Sequence, residues 1–145
     1  MIRNIFIGTI ILLLLTSFQQ PKPKSITGKW SLLSYTDVNT GQIVFTNSIP
    51  GYYNNNGITY QFTDDGEKGE ISGNNFCNTA FGSYELENPN IIKEIYCGGT
   101  EMYCPQYKYI RGYSLANANK YNVSNDTLTF TYKNNAGVMI FLKVK

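Results

Sequence analysis

The side chains that could do chemistry fall into four groups. They are three cysteines (Cys77, Cys97, Cys104), the acidic cluster Asp64, Asp65 and Glu67, the carboxylate pair Glu85 and Glu87, and the tyrosines between Tyr103 and Tyr113. The chain has no histidine. That excludes Ser-His-Asp and Cys-His catalysis and His-ligated zinc, copper or non-haem iron. Asp64, Asp65 and Glu67 could gather around calcium, but their spacing is not that of an EF-hand, and Gly66 fits a hairpin tip. Glu85 and Glu87 fall on one face of a strand, and paired carboxylates can hydrolyse glycosides. Two exposed strand carboxylates would show the same spacing. Tyr103, Tyr107, Tyr109 and Tyr113 could stack on sugars or a partner protein, or divide between core and surface. There is no Gly-x-Ser-x-Gly, no phosphate loop and no Cys-x-x-Cys. The expectation is a protein without enzymatic activity, metal or cofactor. The three thiols allow three pairings, each leaving one cysteine over. Cys97–Cys104 closes a short loop across Gly98 and Gly99, while Cys77–Cys97 and Cys77–Cys104 close longer ones. Three buried free thiols would also suit a core.

The elements that must position these groups read as short strands. Charged residues are 15% of the chain and aromatics 14%, with 12 Tyr and 8 Phe. Tyr, Phe, Thr and Val favour strands. Strands are expected over 27–35, 58–62, 68–72, 81–86, 91–96, 121–123, 128–132 and 138–144, with a weak one at 43–45. Asp64-Asp65-Gly66 and Asn134-Asn135-Ala136-Gly137 read as turns, and Asn54 to Gly57 as a loop tip. Trp30 and Leu32 share a face and are expected in the core, as is Met102. Val138 to Val144 is apolar on both sides, which predicts a strand covered on both faces. Pro105 suits the first position of a helix, making 106 to about 117 the one helix candidate. Eight or so strands with one helix predict a mainly β fold, a small antiparallel barrel or sandwich. The 145 residues make one domain. A net charge of +2 leaves no nucleic-acid footprint.

Residues 1–18 read as a signal peptide. Arg3 supplies the positive start, and Ile5 to Leu15 form an apolar stretch too short for the ~20 residues of a membrane-spanning helix. Residues 19–25 form a Pro/Lys linker, and 26–145 the folded domain. Phe18 stands where a lipoprotein would carry its acylated cysteine, so an unlipidated, exported, monomeric protein with no membrane span is expected.

Gly69-Glu70-Ile71-Ser72-Gly73-Asn74-Asn75-Phe76-Cys77-Asn78-Thr79-Ala80-Phe81-Gly82-Ser83-Tyr84 resembles the core signature of the META-domain family, the HslJ-like group. Thr100-Glu101-Met102-Tyr103-Cys104 resembles its second block, and Gly28-Lys29-Trp30 and Met139-Ile140-Phe141-Leu142 fit its ends. Phe76 departs from the family's usual glycine, and Cys97 is an added thiol. The resemblance implies a small β-barrel-like domain with one helix and no established catalytic activity. It implies a structural or binding role, stress-related, in the bacterial envelope or outside the cell, toward a protein or small-molecule partner. It also puts cysteines at Cys77 and Cys104, which makes them the disulfide candidates with Cys97 free. Ser72, Gly73, Asn74, Asn78 and Gly82 are the signature loop. Two alternatives remain: a lipocalin-like carrier of an apolar ligand, which Gly28-Lys29-Trp30 would also suit, and a carbohydrate hydrolase using Glu85 or Glu87.

Overall fold

The computed structural model describes residues 22–53, 57–87 and 89–145. The leader at 1–18 and the first linker residues lie outside these, as does most of the tip at Asn54 to Gly57. Nine strands are described: β1 (Gly28–Thr36), β2 (Ile43–Phe45), β3 (Ile58–Asp64), β4 (Lys68–Asn75), β5 (Asn78–Glu87), β6 (Ile91–Gly99), β7 (Ala118–Ser124), β8 (Thr127–Tyr132) and β9 (Val138–Lys143). Their order in the sheet is β2-β1-β3-β4-β5-β6-β7-β8-β9, and β9 pairs back onto β1. Eight strands thus close an antiparallel barrel, with β2 added along the second half of β1. Closure removes the free edges that an open sheet would leave.

Alternation of apolar residues carries the chain into the barrel. Tyr60 and Phe62 on β3, Tyr84 on β5, Phe130 on β8 and Phe141 on β9 all point inward and are buried. Their rings meet along the axis. Phe62 lies 5.6 Å from Tyr84 and 5.9 Å from Phe130 between centroids, and Phe141 lies 5.8 Å from Phe130 and 6.0 Å from Tyr60. Trp30 is 1% exposed and donates its indole N–H to the Ile26 carbonyl at 2.9 Å, so the segment before β1 plugs that end of the barrel.

Two expectations change. The helix expected at 106–117 is absent: the described residues there form two 3₁₀ turns, Pro105–Tyr109 and Leu115–Asn117. Gly112 interrupts the run, and the apolar spacing is too irregular to give a helix one buried face. The last strand is covered on only one side. Met139 and Phe141 are buried, whereas Leu142 is 42% exposed, because a single-layer barrel has nothing packed outside it.

β6 runs three residues beyond its expected end, through Cys97-Gly98-Gly99, because full pairing with β5 outweighs the low strand preference of glycine. β6 and β7 meet at only one described pair, Ile91 with Lys120, reinforced by the Tyr121 amide donating to the Asn90 carbonyl. The second half of β6 therefore diverges from β7. The Leu115–Asn117 turn packs against β6 in the resulting gap.

Candidate functional site

The signature is a hairpin rather than a loop. Ser72, Gly73 and Asn74 lie within β4, and Asn78 and Gly82 within β5. Gly73 (φ +145°) is packed so tightly that a Cβ would collide with the Thr59 carbonyl of β3; at Gly82 a Cβ would collide with the Tyr96 carbonyl of β6. Both glycines allow close strand approach. Between the strands, Asn75 pairs with Asn78 and Phe76-Cys77 form the two-residue turn. Phe76 has φ +64°, a left-handed conformation costly for a bulky residue. It is buried, with its ring 5.6 Å from that of Tyr52, which offsets the strain.

That hairpin holds the second signature block. Cys77 and Cys104 form the disulfide and Cys97 is free, as the resemblance implies. The buried Asn78 side chain accepts from the Met102 amide (2.8 Å) and the Thr100 hydroxyl (3.1 Å), and donates to the Met102 carbonyl (3.5 Å). The Thr79 amide donates to the Thr100 hydroxyl, and the Thr100 amide to the Thr79 carbonyl. Met102 is therefore not core. Its side chain is 61% exposed, and its backbone is what Asn78 grips. A methionine two residues before a cysteine reads as core in sequence, but the constraint here falls on main-chain polar groups.

Next to this clamp the barrel has an open mouth. A pocket of about 170 Å³ is walled by Tyr60, Asn75, Cys97, Tyr113 and Ser114 to Ala116. The inward neighbours of Tyr60 and Cys97 across β4–β6 are small (Gly73, Ala80, Gly82, Gly99), which leaves room for this space. The Tyr113 hydroxyl donates to that of Tyr60 at 3.3 Å. The Cys97 thiol is directed at the Gly98 carbonyl, at 3.9 Å. Burial pushes that thiol up to about 11, only partly countered by the neighbouring Tyr60 hydroxyl. Burial also raises both tyrosines well above their usual value. Every one of these groups is neutral at pH 7, so Cys97 is not an activated nucleophile. The Asn75 amide donates to the Tyr107 hydroxyl at 3.0 Å, while its buried Oδ1 has no hydrogen-bond partner. Sequence reasoning did not assemble this site. The only trace of it is the run of small inward residues facing Tyr60.

The other candidates are placed as follows. Asp64 Oδ2 accepts from the Ser25 and Thr27 hydroxyls, the Ile26 amide and the Tyr84 hydroxyl, and Oδ1 from the Gly66 amide. Asp65 accepts from the Glu67 and Lys68 amides. These carboxylates cap a turn and strap down the N-terminal segment. Among the described residues, no group of three or more His, Cys, Asp and Glu is placed to hold a metal. Glu85 is held by Lys93 at 2.7 Å and faces Lys68 at 3.9 Å on the outer surface, while Glu87 is exposed. The tyrosines divide: Tyr107 and Tyr113 pack against the core, Tyr109 is exposed beneath the Lys108 ammonium, and Tyr103 is 92% exposed. The barrel axis, where an apolar cargo would sit, is occupied by the aromatic rings.

No curated protein matches the chain. Among solved structures, it is similar to the crystal structure of a DUF4847 family protein from Bacteroides vulgatus, with 16% identity and a TM-score of 0.53. That match covers 82% of this chain and 94% of the other, and concerns the fold alone. A sequence profile of the META domain matches residues 24–145, which takes in the barrel, the clamp and the mouth, so the chain belongs to the META domain family.

Proposed function

We propose that the protein is exported and acts without catalysis, as a monomeric binding or structural module in the bacterial envelope or outside the cell. The disulfide carries this reading. Cys77–Cys104 locks together the two sequence blocks that define the family, and such bonds persist in oxidising compartments. The apolar stretch at residues 5–15 supports it as a leader. Among the described residues no helix is long and apolar enough to cross a membrane. The polar residues of the signature serve the fold, and of the two carboxylates a hydrolase could use, Glu85 is bound into surface ion pairs and Glu87 is exposed. Mass spectrometry of the native protein tests the reading. The expected product lacks residues 1 to about 17–20 and carries the oxidised Cys77–Cys104 pair. An intact Met1, an acylated N-terminus or three reduced thiols would overturn it.

A further inference from the structure

We propose that Met102 is a reversible oxidation site: its thioether takes an oxygen atom from a hydroperoxide outside the barrel, and a methionine sulfoxide reductase removes it, with the fold intact throughout. This chemistry goes beyond the structural or binding role above and depends neither on that role nor on export.

Two independent observations carry it. The first is which sulfur a peroxide can reach. The chain has three methionines and three cysteines. Met1 lies outside the described residues. Met139 is fully buried, inward on β9 and opposite Tyr35 of β1 and Phe130 of β8. Cys77 and Cys104 are already joined to each other. Cys97 is only partly exposed, and burial pushes its thiol up to about 11, so at pH 7 it lacks the thiolate that a peroxide attacks. Met102 is 61% exposed. A thioether has no proton to lose, so its oxidation needs access and nothing else. In the reaction the sulfur lone pair attacks one oxygen of the hydroperoxide. The S–O bond forms as the O–O bond breaks, and the second oxygen leaves with the proton as water or an alcohol. Sulfur loses two electrons and the peroxide gains them; the reductase returns two from its own thiols.

The second observation is that the main chain at Met102 is held without help from its side chain. The amide donates to Asn78 Oδ1 at 2.8 Å, and the carbonyl accepts from Asn78 Nδ2 at 3.5 Å. Two residues earlier the Thr100 hydroxyl donates to the same Asn78 oxygen, and two residues later Cys104 is bridged to Cys77. The clamp thus fixes the backbone and leaves the thioether outside. A sulfoxide there is solvated, whereas at Met139 it would push an unpaired dipole among packed rings. A reductase likewise meets the modified side chain without the barrel having to open.

The test treats purified, disulfide-intact protein with hydrogen peroxide at pH 6 and pH 8 and maps each sulfur by peptide mass spectrometry. One added oxygen is expected, at Met102, at least about tenfold faster than at Met139, which reacts only when the barrel opens. The Met102 rate should be the same at both pH values, as a thioether requires. At pH 6, where the thiolate fraction is smallest, Cys97 should stay reduced. The oxidised protein should melt with the parent. Stoichiometric reduced methionine sulfoxide reductases, one for each sulfoxide epimer, should restore the original mass without added denaturant. Met102→Leu should take up no oxygen over the same period and should also melt with the parent. Oxidation of Met139 or Cys97 as fast as Met102 at pH 6 would overturn the proposal. So would a sulfoxide form that melts well below the parent, or one that the reductases leave untouched. All these measurements are made on isolated protein, so their failure leaves the export reading standing, and an intact Met1 in native protein leaves Met102 standing.

Discussion

Individual residues show how much of this protein's polarity is spent on holding the chain together. Asp64 gathers five hydrogen bonds from three segments, residues 25–27, the turn at Gly66 and Tyr84 on β5. Desolvation pushes its carboxyl up, but the bonds from Ser25, Thr27, Tyr84 and the Gly66 amide outweigh it and hold the group below its usual value. A depressed carboxyl adds stability that is present above the unfolded value and lost as pH falls through the folded one. Asp64→Asn should therefore lower the urea midpoint at pH 7 and leave the remaining stability less sensitive between pH 5 and 3. Equal pH slopes in parent and variant would refute that role. At Cys97 the sign is reversed. Its thiol is raised from 9.0 to about 11, so its contribution is complete below pH 9 and lost as pH rises toward 11. Iodoacetamide at pH 8 should accordingly modify Cys97 far more slowly in the folded than in the urea-unfolded protein. Trp30 is both plug and hydrogen-bond donor, and Trp30→Ala should cost about 3–5 kcal/mol, comparable to the whole stability of a small domain. A variant that melts like the parent would place Trp30 outside the packing.

Elements depart from simple alternation where neighbouring strands demand it. β1 begins with Trp30 and Leu32 inward, and strict alternation would then turn Tyr35 outward. The pairing of β1 with β9 shifts register between Leu32 and Ser34, making Leu33 a bulge. A bulge inserts one residue and reverses the phase of those that follow, so Tyr35 is buried and meets Tyr113 edge-on at 5.5 Å. The bulge thus brings β1 under the mouth. In the signature hairpin, packing limits a backbone rather than a side chain. Gly73→Ala must displace the Thr59 carbonyl and sits at a φ that alanine rarely adopts. Its expected cost is about 2–3 kcal/mol, read from chemical denaturation; a change within ±0.5 kcal/mol would refute the close β3–β4 approach. The turn that Pro105 starts also needs its partners: the chain that follows is held by Tyr107 and Tyr113 packing against the core instead of by a helical face.

At the scale of the molecule, the closed barrel and its clamp divide the labour. The rings from Tyr60 to Phe141 fill the axis and supply the apolar burial. The 100–117 segment, with no long element of its own, depends on covalent and polar ties to the β4–β5 hairpin. Cys77 and Cys104 lie 27 residues apart in sequence. Removing the bond should cost about 3–4 kcal/mol by unfolded-state entropy. Replacing both cysteines by alanine should lower the melting temperature and raise hydrogen exchange first at Thr100 to Met102. Unchanged exchange there would show that the Asn78 bonds suffice alone.

The sequence by itself determined the β-rich class, the strand positions, the buried Trp30 and, through the family resemblance, the Cys77–Cys104 pair. Those follow from local alternation, turn residues and two recognisable blocks, all of which are written along the chain. Only the tertiary structure decided the phase of β1 after Leu33, the fate of the expected helix, the exposure of Met102 and the gathering of Tyr60, Asn75, Cys97 and Tyr113 around one mouth. Each of these depends on partners distant in sequence. The bulge is set by β9, the irregular segment by the gap where β6 leaves β7, and the mouth by small residues on three strands standing opposite a tyrosine on a fourth. Alternation says which side of a strand a residue takes, but not what stands across the barrel from it.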